Sequence, residues 1–132
     1  MIMTQQMFEE YEDGFSNSPD KNDFFDRWYH PDAEFVHPIK GTFKGKEQIV
    51  GFWNCGKNSG HAGIHETIHL NNLLSVEGKM AAELDIEWTC FEDTVYLGPR
   101  NKGDVFHGKC AAFYTFIGDR ISRVQIYLNC VQ

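Results

Sequence analysis

The chain has 132 residues and carries 19 acidic against 12 basic side chains, a formal charge of −7. That length suits one domain over residues 1–132, since two would each be too small to bury a core unaided. A negative surface repels phosphate backbones and anionic bilayers, so neither nucleic acid nor a membrane is expected as a partner. An apolar fraction of 42% with 11 phenylalanines excludes a disordered chain.

No run approaches the ~18 apolar residues of a membrane-spanning helix. The opening MIMTQQMFEEYED has neither the basic start nor the apolar stretch of a signal peptide, so a cytoplasmic location is expected. Cys55, Cys90, Cys110 and Cys130 are then expected as reduced thiols, and no two of them form a CxxC pair.

Met7, Phe8, Tyr11 and Phe15 recur at helical spacing and predict a first helix, with the acidic residues between Glu9 and Asp13 on its wet face. Ser18-Pro19 supplies a hydroxyl cap followed by proline, which predicts the start of a second helix carrying Phe24, Phe25, Trp28 and Tyr29 and stopped by Pro31. Ala33 to His37 reads as a short strand. Lys46 to Asn54 returns to helical spacing through Ile49, Val50 and Trp53.

Strands fill the rest. Glu66 to Val76 is followed by the tight-turn signal Glu77-Gly78. Met80, Ala82, Leu84, Ile86, Trp88 and Cys90 then alternate with more polar neighbours, which is the pattern of one dry and one wet face. Val105 to Ile117 is nearly all apolar and suits a central strand, and Gly118-Asp119 turns the chain into Ile121 to Val131. The connection from Glu92 to Asp104 is long for a hairpin and is either a lid or a free end. Three helices before a run of strands predict an α+β domain, with the helices packed in the concave face of a curved, mostly antiparallel sheet.

The stretch from Trp28 to Pro38, WYHPDAEFVHP, followed by Gly45-Lys46-Glu47-Gln48-Ile49, resembles the front half of a SnoaL-like, NTF2-like domain. Ile68 to Asn72 and the closing hairpin Gly118 to Val124 are similar to later parts of the same pattern, so the likeness covers nearly the whole chain. It implies a cone with a cavity between helices and sheet, in a fold shared by isomerases, cyclases, dehydratases, epoxide hydrolases and non-catalytic members. Residue by residue, it puts His37 where ketosteroid isomerases hold their proton-moving aspartate, and Tyr11 near their oxyanion-hole tyrosine. Their second oxyanion donor falls at Ala112, which has no donor to offer, and that counts against steroid isomerase activity. It puts His69 where scytalone dehydratase carries one catalytic histidine, while the other falls near Cys90. The Asp-Arg-Asp set of epoxide hydrolases has no counterpart, because alternation turns Asp85 and Glu87 outward.

An imidazole titrates near neutral pH and suits proton transfer. His37 and His69 are therefore expected on facing walls of the cavity as base and acid, with Tyr11 holding a developing oxyanion. Each has a plain structural alternative: a backbone-bonded histidine beside Pro38, a strand histidine bonded to Asn71 or Asn72, and a core tyrosine. Trp53, Trp88, Cys90, Cys110, Ala112 and Tyr114 are expected to line the pocket. His61, His65 and His69 are spaced by four, but Gly60 and Gly63 oppose the helix that would gather them, so no metal is expected. The reading is a cofactor-free lyase or isomerase acting on a small apolar ligand, or else a non-catalytic ligand-binding or dimerisation module. A homodimer is expected through the sheet surface that carries Arg123, Gln125, Tyr127 and Asn129.

Overall fold

The computed structural model describes residues 1–131. Helix α1 spans Gln5–Asn17 and buries Phe8, Tyr11 and Phe15, one stripe at helical spacing. Thr4 caps it, its Oγ1 accepting the Met7 N–H at 3.2 Å. At the other end the buried Lys21 ammonium donates to the carbonyls of Phe15 and Ser18, groups that a helix end otherwise leaves unpaired.

Helix α2 runs Asn22–Trp28, so the start predicted at Ser18-Pro19 is too early. Ser18 instead ends α1, and the Asp20 carboxylate takes the Asn22 N–H at 3.0 Å in the turn between the helices. Strand β1 (Tyr29–His37) begins before Pro31 rather than after it. Its pairing shifts register between Tyr29 and Glu34, and this irregularity houses the proline, which has no N–H to give. Strand β2 (Gly41–Lys44) leads into helix α3 (Gly45–Trp53).

Strands β3 (Ile64–Val76) and β4 (Lys79–Cys90) form a hairpin turning at Glu77-Gly78. A two-strand flap, β5 (Thr94–Val95) with β6 (Pro99–Arg100), occupies the long connection. Strands β7 (Val105–Ile117) and β8 (Arg120–Val131) complete a six-stranded sheet in the order β2-β1-β8-β7-β4-β3. All its neighbours are antiparallel except β1 and β8. The expected α+β cone with three helices is the architecture observed.

Period-two alternation turns Met80, Ala82, Leu84, Ile86 and Trp88 of β4, with Phe106, Cys110, Ala112 and Tyr114 of β7, toward the helices. Gly108 leaves the slot in which the Trp88 indole lies, since a Cβ there would come within 2.7 Å of the ring. Asp85 and Glu87 lie on the outer face with half-exposed side chains.

Candidate active site

Sheet and helices enclose a cavity of about 60 Å³, counted as space open to the centre of a water-sized sphere. That is room for roughly four to six waters, or a ligand of similar bulk. Its two ends differ. Tyr11, Phe15, Trp53 and Tyr114 form an aromatic end; His37, His61, Glu66 and Tyr96 form a polar one.

Glu66 projects from β3 on the same side as Ile64 and Ile68. Its Oε1 accepts the Trp88 indole N–H at 2.5 Å and lies 3.1 Å from His61 Nε2. The other ring nitrogen of His61, Nδ1, is 2.7 Å from the Phe52 carbonyl. A carbonyl and an ionised carboxylate both only accept, so Nδ1 donates to Phe52 and Nε2 donates to Glu66. Gly60 permits this approach: a Cβ at that position would lie 2.4 Å from the Phe52 oxygen, while its N–H bonds Gly51 O at 2.8 Å. Burial pushes the Glu66 carboxyl up, but the charge and hydrogen bond of His61 and the Trp88 donor outweigh it. The group ends below its ordinary value and is ionised at neutral pH.

His37 is 3% exposed at the end of β1. Its Nδ1 accepts two backbone N–H groups, from Ile39 at 3.1 Å and Lys40 at 3.0 Å. Its Nε2 faces the Tyr96 hydroxyl at 3.4 Å. Burial, then the nearby His61, push its pKa down to about 4. Tyr96 is 2% exposed and packs on His61, with ring centroids 4.6 Å apart. Arg100 fixes the flap that carries it, bonding the carbonyls of Tyr96 at 3.1 Å and Leu97 at 3.0 Å and stacking on Phe106 at 3.7 Å. Burial pushes the Tyr96 hydroxyl far up, so its proton stays on.

At the aromatic end the Tyr11 and Tyr29 hydroxyls are 2.5 Å apart, and burial raises both well above the ordinary tyrosine value. Cys110 lines the wall; burial pushes its thiol up to about 12, so it is not a thiolate nucleophile at neutral pH. Ala112 adds only apolar surface.

Two residues fall outside the cavity. His69 does not face His37: its side chain is 74% exposed, with Nδ1 3.5 Å from Glu12 Oε1. The cause is parity, because Ile64, Glu66, Ile68 and Leu70 take the inner side of β3 and leave His65 and His69 outside. Cys90 is buried on the inner side of β4, but at its last position, under the connection whose Asp104 carbonyl accepts its N–H at 2.9 Å. His61 turns in while His65 and His69 turn out, so their four-residue spacing gathers no trio. In the sequence Glu66 belongs to no motif, and His61 stands out only through that spacing. A carboxylate in step with Ile64 and Ile68 was the available signal, whereas nothing local marks Tyr96 as buried.

A cone of helices and sheet around an aromatic cavity with one ionised carboxylate defines a domain of the NTF2-like class. Residues 6–124 match the model of the SnoaL-like domain, and the chain belongs to that family. No curated relative matches it. A SnoaL-like polyketide cyclase from Agrobacterium tumefaciens superposes with a TM-score of 0.71 at 18% identity, over 96% of this chain and 92% of that one. An NTF2-like protein from Anabaena variabilis gives 0.66 at 23% identity, over 94% and 84%. An LEH-like epoxide hydrolase from M. tuberculosis gives 0.68 at 8% identity, over 92% and 79%. At these identities the shared property is the fold.

Proposed function

We propose that the protein is a cofactor-free enzyme of the lyase or isomerase type that moves a proton on a small, largely apolar ligand, with Glu66 as the base. One observation carries the reading: an ionised carboxylate lies inside an aromatic cavity with Oε1 taken by His61 and Trp88, which leaves Oε2 for a ligand. Two bonds on one oxygen orient the group, and a low-dielectric site strengthens its pull on a proton. Tyr11 and His37 line the same space; His69 has no part in it. A polyketide cyclase and an epoxide hydrolase among the solved neighbours support a small organic ligand. The second reading, a binding module, draws its support from the small cavity and from Ala112.

The test is exchange of solvent deuterium into a panel of small ketones and enones, followed by proton NMR. Exchange by the native protein is expected, and Glu66→Gln should slow it by about 10²–10⁴-fold. Ligands that bind without exchanging in any case would favour the module.

The proposal includes a homodimer formed through the outer face of the sheet. Phe113 and Tyr127 stand there half-exposed, with centroids 5.9 Å apart, beside Arg123, Gln125 and Asn129. Light scattering should give twice the chain mass, with an interface above ~1,000 Å². A monomer at micromolar concentration would refute this. A cytoplasmic location is part of the same proposal. The four cysteines are free thiols, and no helix among the described residues is long and apolar enough to cross a membrane.

A further inference from the structure

We infer that His37 is a fixed hydrogen-bond donor rather than a base, and that with Tyr96 it binds the carbonyl oxygen of a small neutral ligand. The inference rests on the proton-transfer reading and assigns the ligand class to it. It reverses the role that the family resemblance implies for this position.

Proton positions follow from the partners. Two backbone N–H groups, of Ile39 and Lys40, point at His37 Nδ1. A proton on that nitrogen would face two donors and break both bonds, so the ring's single proton sits on Nε2. A base needs a free lone pair. Nε2 has none while it carries the proton, and the Nδ1 pair is engaged by the turn. The ring can therefore donate into the cavity but not accept from it. Its low pKa agrees with this: burial and the nearby His61 oppose the cation, and together they outweigh the pull of Glu66.

Tyr96 completes the pair. Among the described residues its hydroxyl has one neighbour, His37 Nε2 at 3.4 Å. Because Nε2 donates, the Tyr96 oxygen can only accept there, and the Tyr96 proton is left without an acceptor in a buried place. Buried donors are rarely left so. A ligand oxygen on the cavity side of the two groups, within hydrogen-bond reach of each, would accept from both. Glu66 in the same cavity disfavours an anionic ligand, and about 60 Å³ of inner space suits a ligand group of roughly half a dozen heavy atoms. A neutral carbonyl compound meets these conditions, with its oxygen on the donor pair and a neighbouring C–H toward Glu66.

The test uses the full chain labelled with ¹⁵N, with cyclopentanone as probe and methylenecyclopentane as its hydrocarbon control. Long-range ¹H–¹⁵N spectra at neutral pH should show His37 as the Nε2–H form alone. The ketone should move that proton downfield and bind; the hydrocarbon should not move it. His37→Leu should weaken ketone binding about tenfold, the loss of one good hydrogen bond. His37→Gln, which keeps an N–H at similar reach, should recover most of it, and Tyr96→Phe should cost several-fold. An Nδ1–H form in the native protein, no ketone binding, or equal binding of ketone and hydrocarbon would overturn the inference. That spectrum needs no variant, so a misfolded mutant does not blunt the test. The two readings also fail separately. If the ketone binds through His37 while Glu66→Gln leaves deuterium exchange unchanged, the proton-transfer reading alone is lost. If Glu66→Gln stops exchange while the Nδ1–H form is found, the assignment of His37 alone is lost.

Discussion

Tyr11, Phe24 and Trp53 hold one end of the cavity by ring against ring, with centroid spacings of 4.9 Å for Tyr11–Phe24 and 5.7 Å for Phe24–Trp53. His61, Glu66 and His37 hold the other end by directed bonds of 2.5–3.1 Å. The first end depends on volume: many contacts, each weak, with the Tyr11 hydroxyl bonded to that of Tyr29. The second depends on partners, because each buried polar group there is tolerable only while its counterpart stays in place. Stability should therefore be concentrated at the aromatic end, and sensitivity to pH at the polar one.

The largest effect is expected at the aromatic end. Phe8 is fully buried against Tyr11 and Tyr114. Phe8→Ala should cost about 3–5 kcal/mol in urea unfolding, with little change in its pH dependence. A loss below about 1 kcal/mol would mean that this end is not the mechanical core.

The smaller effect sharpens the contrast from the polar end. His37 titrates near 6.5 when unfolded and at about 4 when folded. Between those values the unfolded chain binds the proton and the folded one does not. The unfolding free energy should thus be at its full value above 6.5 and fall as the pH drops toward 4. Glu66 acts one window lower: its folded value lies below the ordinary 4.5, so its contribution is present above 4.5 and lost on further acidification. Urea midpoints taken across this range should show two successive losses, and His37→Gln should flatten the upper one. An unchanged upper limb would mean that His37 is not held neutral by the fold.

Much of the frame was legible because it is written in periods. The alternation of Met80 to Cys90 placed β4 with the correct face inward, and the apolar run of Val105 to Ile117 placed β7 at the interior of the sheet. The site was harder to read. His69 is one residue from Ile68, and a single step of parity separates a cavity residue from an exposed one. Glu66 was visible as a charge on the apolar side of its strand. Its meaning depends on Trp88 and His61, which are 22 and 5 residues away and meet it only through strand pairing and the tight pass at Gly60. Tyr96 lies in a connection with no periodicity, and its burial follows from the Arg100 bonds that fold the flap back.

The parallel pairing of β1 with β8 sets an order of events during synthesis. Glu34 lies opposite Arg123, 89 positions further along the chain. Every other neighbouring pair in the sheet is joined by a far shorter segment, so those hairpins can form as they emerge, while β1 must wait with only β2 beside it. Loop closure over such a distance carries an entropic cost before any contact offsets it, which slows the closing step. Val124, Ile126 and Leu128 of β8 supply part of the cavity wall. Until β8 docks, the growing chain holds an open trough of aromatic side chains in water. The cavity is accordingly the last part of the molecule to be completed, and the partly made chain is at its most aggregation-prone just before that step.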